Sequence, residues 1–256
     1  MNKKRVAFFD FASCEGCQLQ MANFGEAFLD VLNLMDVVMF REVMSEKTED
    51  YDVAIVEGSI TTPHDVERIR HIRQRAKVVI ALGSCATIGG VNGMKNNFCL
   101  EEIRAYVYGD KASLFPTIPT LPLHEVIEVD YYVHGCPIYQ PEFLKILKHA
   151  LRDIPYTVKD EAVCVECKYN ENECMFEKGL TCLGPVTMAG CNAWCINQGN
   201  ICYGCRGLVG ESVLEGCRDV LEKYHIPLDW IKGKMNMYNT GLTTSNTKKG
   251  PSRKLP

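Results

Sequence analysis

Arg5-Val-Ala-Phe-Phe9 runs almost directly into Phe11-Ala-Ser-Cys-Glu-Gly-Cys17, a short apolar run followed by a turn with two cysteines. Four more apolar runs follow, at residues 37–40, 53–56, 78–82 and 131–133. Amphipathic stretches at 19–32, 63–75, 100–108 and 141–152 separate most of them, with apolar spacing that suits helices. Pro63 and Pro141 sit where first helical residues belong, and Thr62 is placed to cap its helix. Short strands alternating with helices imply βαβ units and a parallel sheet covered on both faces. The expected fold is α/β, a flavodoxin-like doubly wound sheet over residues 1–156.

In such a sheet, ligands gather at the loops that follow the carboxyl ends of the strands. Cys14 and Cys17 follow the first run, Cys85 follows 78–82, and Cys136 follows 131–133. Loops far apart in sequence would thus bring four thiols to one sheet edge. A flavin phosphate would occupy the same place in a flavodoxin. The turn at 11–17 lacks the hydroxyl-rich character of a phosphate cradle, so a flavin is not expected there.

Beyond residue 156 the character changes. Cys164, Cys167, Cys174, Cys182, Cys191, Cys195, Cys202 and Cys205 crowd a glycine-rich stretch with little periodicity. A segment this poor in regular structure needs metal to hold it together. Residues 157–239 are therefore expected to form an irregular, metal-stabilised second domain, with helices at 213–224 and 227–237. Residues 240–256 end in Lys248, Lys249, Arg253 and Lys254 and are expected to be a disordered basic tail.

Twelve grouped cysteines make three sets of four, the number of thiolates that one 4Fe–4S cluster needs. From spacing alone, zinc and iron–sulfur both remain open for the 164–205 segment. Its glycines tilt the reading towards iron–sulfur, because they free backbone N–H groups to approach bridging sulfides. The first set is harder to read as zinc, since structural zinc sites are mostly local knuckles. Cys99 and Cys217 are left over and read as buried apolar residues. His134 lies two residues before Cys136, and a structural role is the favoured one for it. Glu15, inside the first C-x2-C, and Glu57, at the end of a strand, are candidate proton-relay or interface carboxylates. A hydrogen-bonding role is equally open for both.

The chain has 256 residues, 46% hydrophobic and 23% charged, with a formal net charge of −4. That is ordinary for a globular protein, and no basic run points to nucleic acid. Val6–Phe9 is too short for a signal peptide, and no apolar stretch approaches the ~18 residues of a membrane helix. A cytoplasmic location is expected, where paired cysteines favour metal over disulfide.

Ser13-Cys-Glu-Gly-Cys-Gln18, Val56-Glu-Gly-Ser59, Leu82-Gly-Ser-Cys-Ala-Thr-Ile-Gly-Gly90 and His134-Gly-Cys-Pro137 resemble the small subunit of nickel–iron hydrogenases. Cys182-Leu-Gly-Pro-Val-Thr-Met-Ala-Gly-Cys191 and Cys202-Tyr-Gly-Cys205 look like the cluster segment of the same family. The resemblance runs in order from about residue 5 to about residue 220. Its nearest likeness is to cytoplasmic, multisubunit members: delta subunits of sulfhydrogenases and NAD(P)-linked or electron-bifurcating complexes.

The resemblance implies three 4Fe–4S clusters. Cys14, Cys17, Cys85 and Cys136 would hold the proximal one. Cys191, Cys195, Cys202 and Cys205 would hold the medial one. Cys164, Cys167, Cys174 and Cys182 would hold the distal one. It places the nickel–iron centre in a separate large subunit and implies flavin or ferredoxin-type iron–sulfur partner subunits. Two departures from periplasmic relatives stand out. Cys164 replaces a histidine, and Cys195 stands where a proline often leaves a 3Fe–4S cluster. The extra cysteines of oxygen-tolerant members fall at Gly16 and Gly90, which implies oxygen sensitivity here. The related subunit of respiratory complex I has adjacent cysteines in its first motif, unlike Cys14 and Cys17. A complex-I-like or formate-linked subunit, and a redox-silent zinc module, are the alternatives.

Overall fold

All five apolar runs become strands: β1 (Lys4–Asp10), β2 (Met35–Met39), β3 (Val53–Glu57), β4 (Val78–Leu82) and β5 (Tyr131–Val133). In the computed structural model, which describes residues 3–158, 160–210 and 218–240, they form one sheet in the order β2-β1-β3-β4-β5. Every pairing is parallel. This is the flavodoxin-like strand order, with its crevice at the carboxyl ends beside β1 and β3.

The helices over the sheet are α1 (Gly16–Ala22), α2 (Glu26–Leu32), α3 (Pro63–Arg75), α4 (Gly83–Ile88), α5 (Leu100–Tyr108) and α6 (Gln140–Leu151). Alternate strand residues face opposite cores, as the pleat requires. Val6, Phe8, Ile55 and Ile80 pack with Phe143 and Ile146 of α6. Ala7, Phe9, Val56 and Val79 pack with Ile69 and Ile72 of α3. Both faces of β3 and β4 are buried, which is why their runs are continuously apolar rather than alternating.

The helix expected at 19–32 is instead two, α1 and α2. Gly25 adopts φ +57, outside the helical basin, and Phe24 turns into the core at the break. Pro141 is the second residue of α6, one position later than expected. The short α4 was not anticipated from the apolar pattern.

Beyond residue 156, a third cluster gathers Val163, Met175, Phe176, Leu183, Ile196 and Ile231 around Cys167, Cys182 and Cys202. Two short helices, α7 (Val163–Tyr169) and α8 (Trp194–Asn197), give this stretch more regular structure than its sequence suggested. Of the helix expected at 213–224, residues 218–223 are helical and 211–217 lie outside the described residues. A last helix spans Leu228–Met235. Residues 241–256, expected as a tail, also lie outside the described residues. Among the described residues, no helix is long and apolar enough to cross a membrane.

Thr62 caps α3 as its sequence indicated. Its hydroxyl accepts the Asp65 N–H at 3.2 Å, and the Asp65 carboxylate accepts the Thr62 N–H at 2.9 Å. This reciprocal pair is a capping box with Asp in place of the usual Glu. Thr62→Ala should cost about 1 kcal/mol and lower the melting temperature by roughly 2–4 °C, read by calorimetry, while Thr62→Ser stays near wild type.

Candidate functional site

Cys14, Cys17, Cys85 and Cys136 converge at the carboxyl edge of the sheet. Cys17 feels the charges of Cys136 and Cys85, and Cys85 those of Cys136 and Cys14. Four chain connections set the loops against one another. The Ser84 N–H donates to the Gly135 carbonyl at 2.8 Å, joining the β4 and β5 loops. The Ser59 N–H donates to the Ala12 carbonyl at 3.0 Å. Asn92 Nδ2 donates to that same carbonyl at 2.6 Å and to Ser59 Oγ at 3.0 Å.

Two glycines make room for the sulfurs. At Gly83, φ is +81 and a Cβ would stand 2.5 Å from Cys17 Sγ. At Gly90, φ is +56 and a Cβ would stand 2.9 Å from Cys85 Sγ. Only glycine satisfies both the backbone angle and the space.

Glu57 is buried, and its carboxylate accepts the N–H groups of Cys17 at 3.1 Å and Gln18 at 2.9 Å. It holds the first turn of α1, and with it Cys17, in place. Burial pushes its carboxyl up, and these two N–H donors oppose the shift. With both oxygens engaged, Glu57 acts as a brace for the ligand loop. Glu15 has φ +60 and pairs with Arg41, which also pairs with Asp10 at 3.1 Å. Burial, followed by neighbouring Glu42, raises the Glu15 carboxyl.

The second segment brings its eight cysteines into two neighbouring groups. Cys182 feels Cys167 and Cys174, and the sulfurs of Cys164 and Cys182 both approach within 3.5 Å of where a Gly184 Cβ would be. Cys191, Cys195, Cys202 and Cys205 line one cavity of about 60 Å³ together with Cys136, Arg206 and Tyr238. Glu166 shapes the Cys191 turn by accepting the N–H groups of Gly190 at 2.8 Å and Ala193 at 3.1 Å. Asn192 and Ala193 both have positive φ there, a strained geometry that this carboxylate sustains.

The two groups touch each other and the sheet edge. The Cys202 N–H donates to Cys182 Sγ at 3.2 Å, and the Cys136 N–H faces the Cys205 sulfur. The Ser84 hydroxyl donates to the Cys205 carbonyl. The group of Cys191, Cys195, Cys202 and Cys205 therefore lies between the other two.

Burial pushes the Cys85 and Cys205 thiols up to about 12 and the Cys17 thiol higher still. Holding a thiolate at Cys85 or Cys205 at neutral pH costs on the order of 4 kcal/mol beyond an ordinary cysteine. A bound metal group would offset that cost with its own positive charge. Backbone N–H groups help: those of Ile138 on Cys17, Gly204 on Cys202, Trp194 and Ala193 on Cys191, and Gly184 on Cys182.

Zinc draws four ligands to about 2.3 Å, whereas a 4Fe–4S group takes one thiolate at each of four irons and spreads them. The cavity at Cys191–Cys205 also exceeds the space of one water several times over. The residues fit an iron–sulfur group better than a lone ion.

Other residues fall outside these groups. No two of the thirteen described cysteines form a disulfide. Cys99 is half-exposed at the start of α5, which corrects the expectation that it is buried. Being the residue before the helix, it has no core face to occupy. Cys217 lies outside the described residues. His134 is buried, stacks on Tyr132 and is held neutral by burial and by Arg206, its pKa lowered to about 3. Its main-chain carbonyl is the functional atom, as an acceptor for Arg206 Nη1 at 2.9 Å. Arg206, Glu142, Glu166 and Tyr238 escaped sequence reasoning. Only the position of Arg206 directly after Cys205 could have drawn notice.

Residues 14–150 match the family model described as NADH ubiquinone oxidoreductase, 20 Kd subunit. The delta subunit of sulfhydrogenase 2 from Pyrococcus furiosus is 35% identical over 236 residues, 91% of this chain and 98% of that one. The delta subunit of the NAD-reducing hydrogenase HoxS from Cupriavidus necator is 27% identical over 172 residues, 60% of this chain and 81% of that one. Among solved structures, a chain of an NAD+-reducing [NiFe]-hydrogenase in the H2-reduced state superposes with a TM-score of 0.55 at 25% identity. It covers 61% of this chain and 96% of that one. The cysteine-bearing sheet edge and these likenesses agree, and the chain belongs to the family of nickel–iron hydrogenase small subunits, electron-transfer components of oxidoreductase complexes.

Proposed function

We propose that this chain carries three 4Fe–4S clusters and relays electrons between the hydrogen-activating centre of a large subunit and a flavin or ferredoxin-type partner subunit. Cys14, Cys17, Cys85 and Cys136 hold the proximal cluster. Cys191, Cys195, Cys202 and Cys205 hold the medial one, and Cys164, Cys167, Cys174 and Cys182 the distal one. The observation that carries this reading is the placement of the 191–205 group, which touches the sheet edge through Cys136 and the outer group through Cys182. A relay needs its middle site in contact with both ends. Residues 1–156 and 157–239 act as the two domains of this arrangement, and the complex works in the cytoplasm.

Iron–sulfur groups supply one-electron chemistry at potentials set by charge, hydrogen bonds and solvent. The chain supplies the rest. Glu57 fixes the Cys17 turn, and Gly83 and Gly90 let the backbone approach the sulfurs. Cys14 and Cys136 remain exposed while Cys17 is buried, so the proximal site is open on one side. That open side is where the large subunit would seat and exclude water. This chain alone would turn over no hydrogen, because the hydrogen-activating centre belongs to the large subunit.

Purified chain in its complex should contain about twelve irons attributable to this subunit and show broad visible absorbance. Stoichiometric zinc without colour would instead establish the redox-silent module. Copurifying nickel with hydrogen uptake separates the hydrogenase reading from a complex-I-like or formate-linked one, which would show neither.

Cys17→Ala should abolish hydrogen-dependent reduction of every acceptor, because it removes a ligand of the proximal cluster through which electrons leave the large subunit. Cys99→Ala should leave the rate within about twofold, since it stands half-buried just before α5 with its sulfur beside Glu101. Equal behaviour of the two variants would refute the ligand assignment.

Gly16 and Gly90 adjoin Cys14 Sγ and Cys85 Sγ, where a Cβ would stand 3.2 Å and 2.9 Å away. No thiol is present at either position to support a protected proximal cluster. Hydrogen turnover by the purified complex should therefore stop in air, and sustained aerobic turnover would overturn this.

A further inference from the structure

Arg206 is completely buried, and its guanidinium joins three of the cysteine-bearing loops. Its own backbone follows Cys205. Nε donates to the carbonyls of Met188 and Ala189 at 3.1 and 3.0 Å, just before Cys191. Nη1 donates to the His134 carbonyl at 2.9 Å, just before Cys136. Nη1 and Nη2 each bond one oxygen of Glu142 at 2.7 Å, a two-pronged pair inside the protein. Gly190 is required beside it, because a Cβ there would overlap Nη2.

A buried ion pair is weak evidence for stability, since desolvation offsets most of its attraction. Its placement here suggests another use. Arg206 lines the same cavity as Cys191, Cys195, Cys202 and Cys205, whereas Glu142 lies on α6 behind it. Arg206 thus borders the cavity of the four sulfurs, and Glu142 is not among the residues that line it. Glu166 sets an opposing charge at the Cys191 turn, with Oε2 4.0 Å from Cys191 Sγ.

We propose that Arg206 is a positioning residue that raises the reduction potential of the medial iron–sulfur group, with Glu142 limiting how far. A fixed positive charge beside the site favours the state carrying one more electron, in the low-dielectric interior where it is least screened. The same guanidinium fixes the spacing of the proximal and medial sites by bonding both loops. This inference rests on the three-cluster reading above.

The sign of two substitutions tests it in the purified complex, by redox titration followed with electron paramagnetic resonance and iron analysis. Arg206→Gln should lower the medial midpoint, shifting the oxidised-to-reduced ratio at fixed potential about tenfold, or about 59 mV for one electron. Glu142→Gln should raise it, and Arg206→Lys, which keeps the charge, should stay near wild type. A merely structural pair would move both variants in the same direction or neither. With iron retained, an unchanged midpoint in Arg206→Gln or the absence of a rise in Glu142→Gln overturns the proposal. If Arg206→Gln fails to assemble, Glu142→Gln and Arg206→Lys decide the matter by the same signs. Wild-type complex with no iron–sulfur signal from this subunit would overturn the three-cluster reading itself, and the proposal with it.

Discussion

Burial of sulfur is the constraint from which the rest of this molecule follows. It pushes the thiols of Cys17, Cys85 and Cys205 up, so on the proposed reading, in which they hold iron–sulfur groups as thiolates, compensating charge and dipoles are needed at each. Backbone N–H groups aimed at sulfur do part of this, and they require close approach of main chain. Close approach in turn selects glycine at Gly83 and Gly90, where any Cβ would crowd a cysteine sulfur. Glycines that look like signs of disorder in the sequence are instead consequences of sulfur chemistry.

The two halves meet this constraint differently. The sheet supplies rigid strand ends, and only short turns have to be arranged on top of them. Beyond residue 156 there is no sheet to lean on, and cysteines themselves serve as core residues: Cys167, Cys182 and Cys202 pack among leucine, valine and phenylalanine. Besides the Ser84 and Cys136 contacts to Cys205, the halves are tied by the Arg206 bonds to Glu142 and to the His134 carbonyl. Leaving Glu142 buried without its partner would cost about 3–5 kcal/mol, so the link is strong against loss of either member.

The strands were legible because a central parallel strand must be apolar on both faces, and 78–82 reads that way without ambiguity. The cap at Thr62 was legible because its partner Asp65 is three residues away. The break near Gly25 was not, since one glycine in a periodic apolar stretch weighs little until the core fixes where Phe24 goes. The gathering of Cys14, Cys17, Cys85 and Cys136 followed from strand-end topology. The Glu142–Arg206 pair spans 64 residues and two layers of structure, and no local pattern announces it. Glu57 was noticed for its position at a strand end, but its duty as a brace depended on the direction of two N–H groups. Cys99 misled because cysteine is usually buried, and a residue just before a surface helix is not.

The uneven exposure of the first four cysteines bears on how the protein is built in the cell. Cys17 sits at the floor of the edge, and Cys14 and Cys136 stand at its rim. A delivery protein carrying a preformed iron–sulfur group could reach the rim after the sheet has folded, with the floor cysteine waiting beneath. A large subunit seated on that rim, as proposed, would then cover it. On the proposed reading, loading would therefore precede docking.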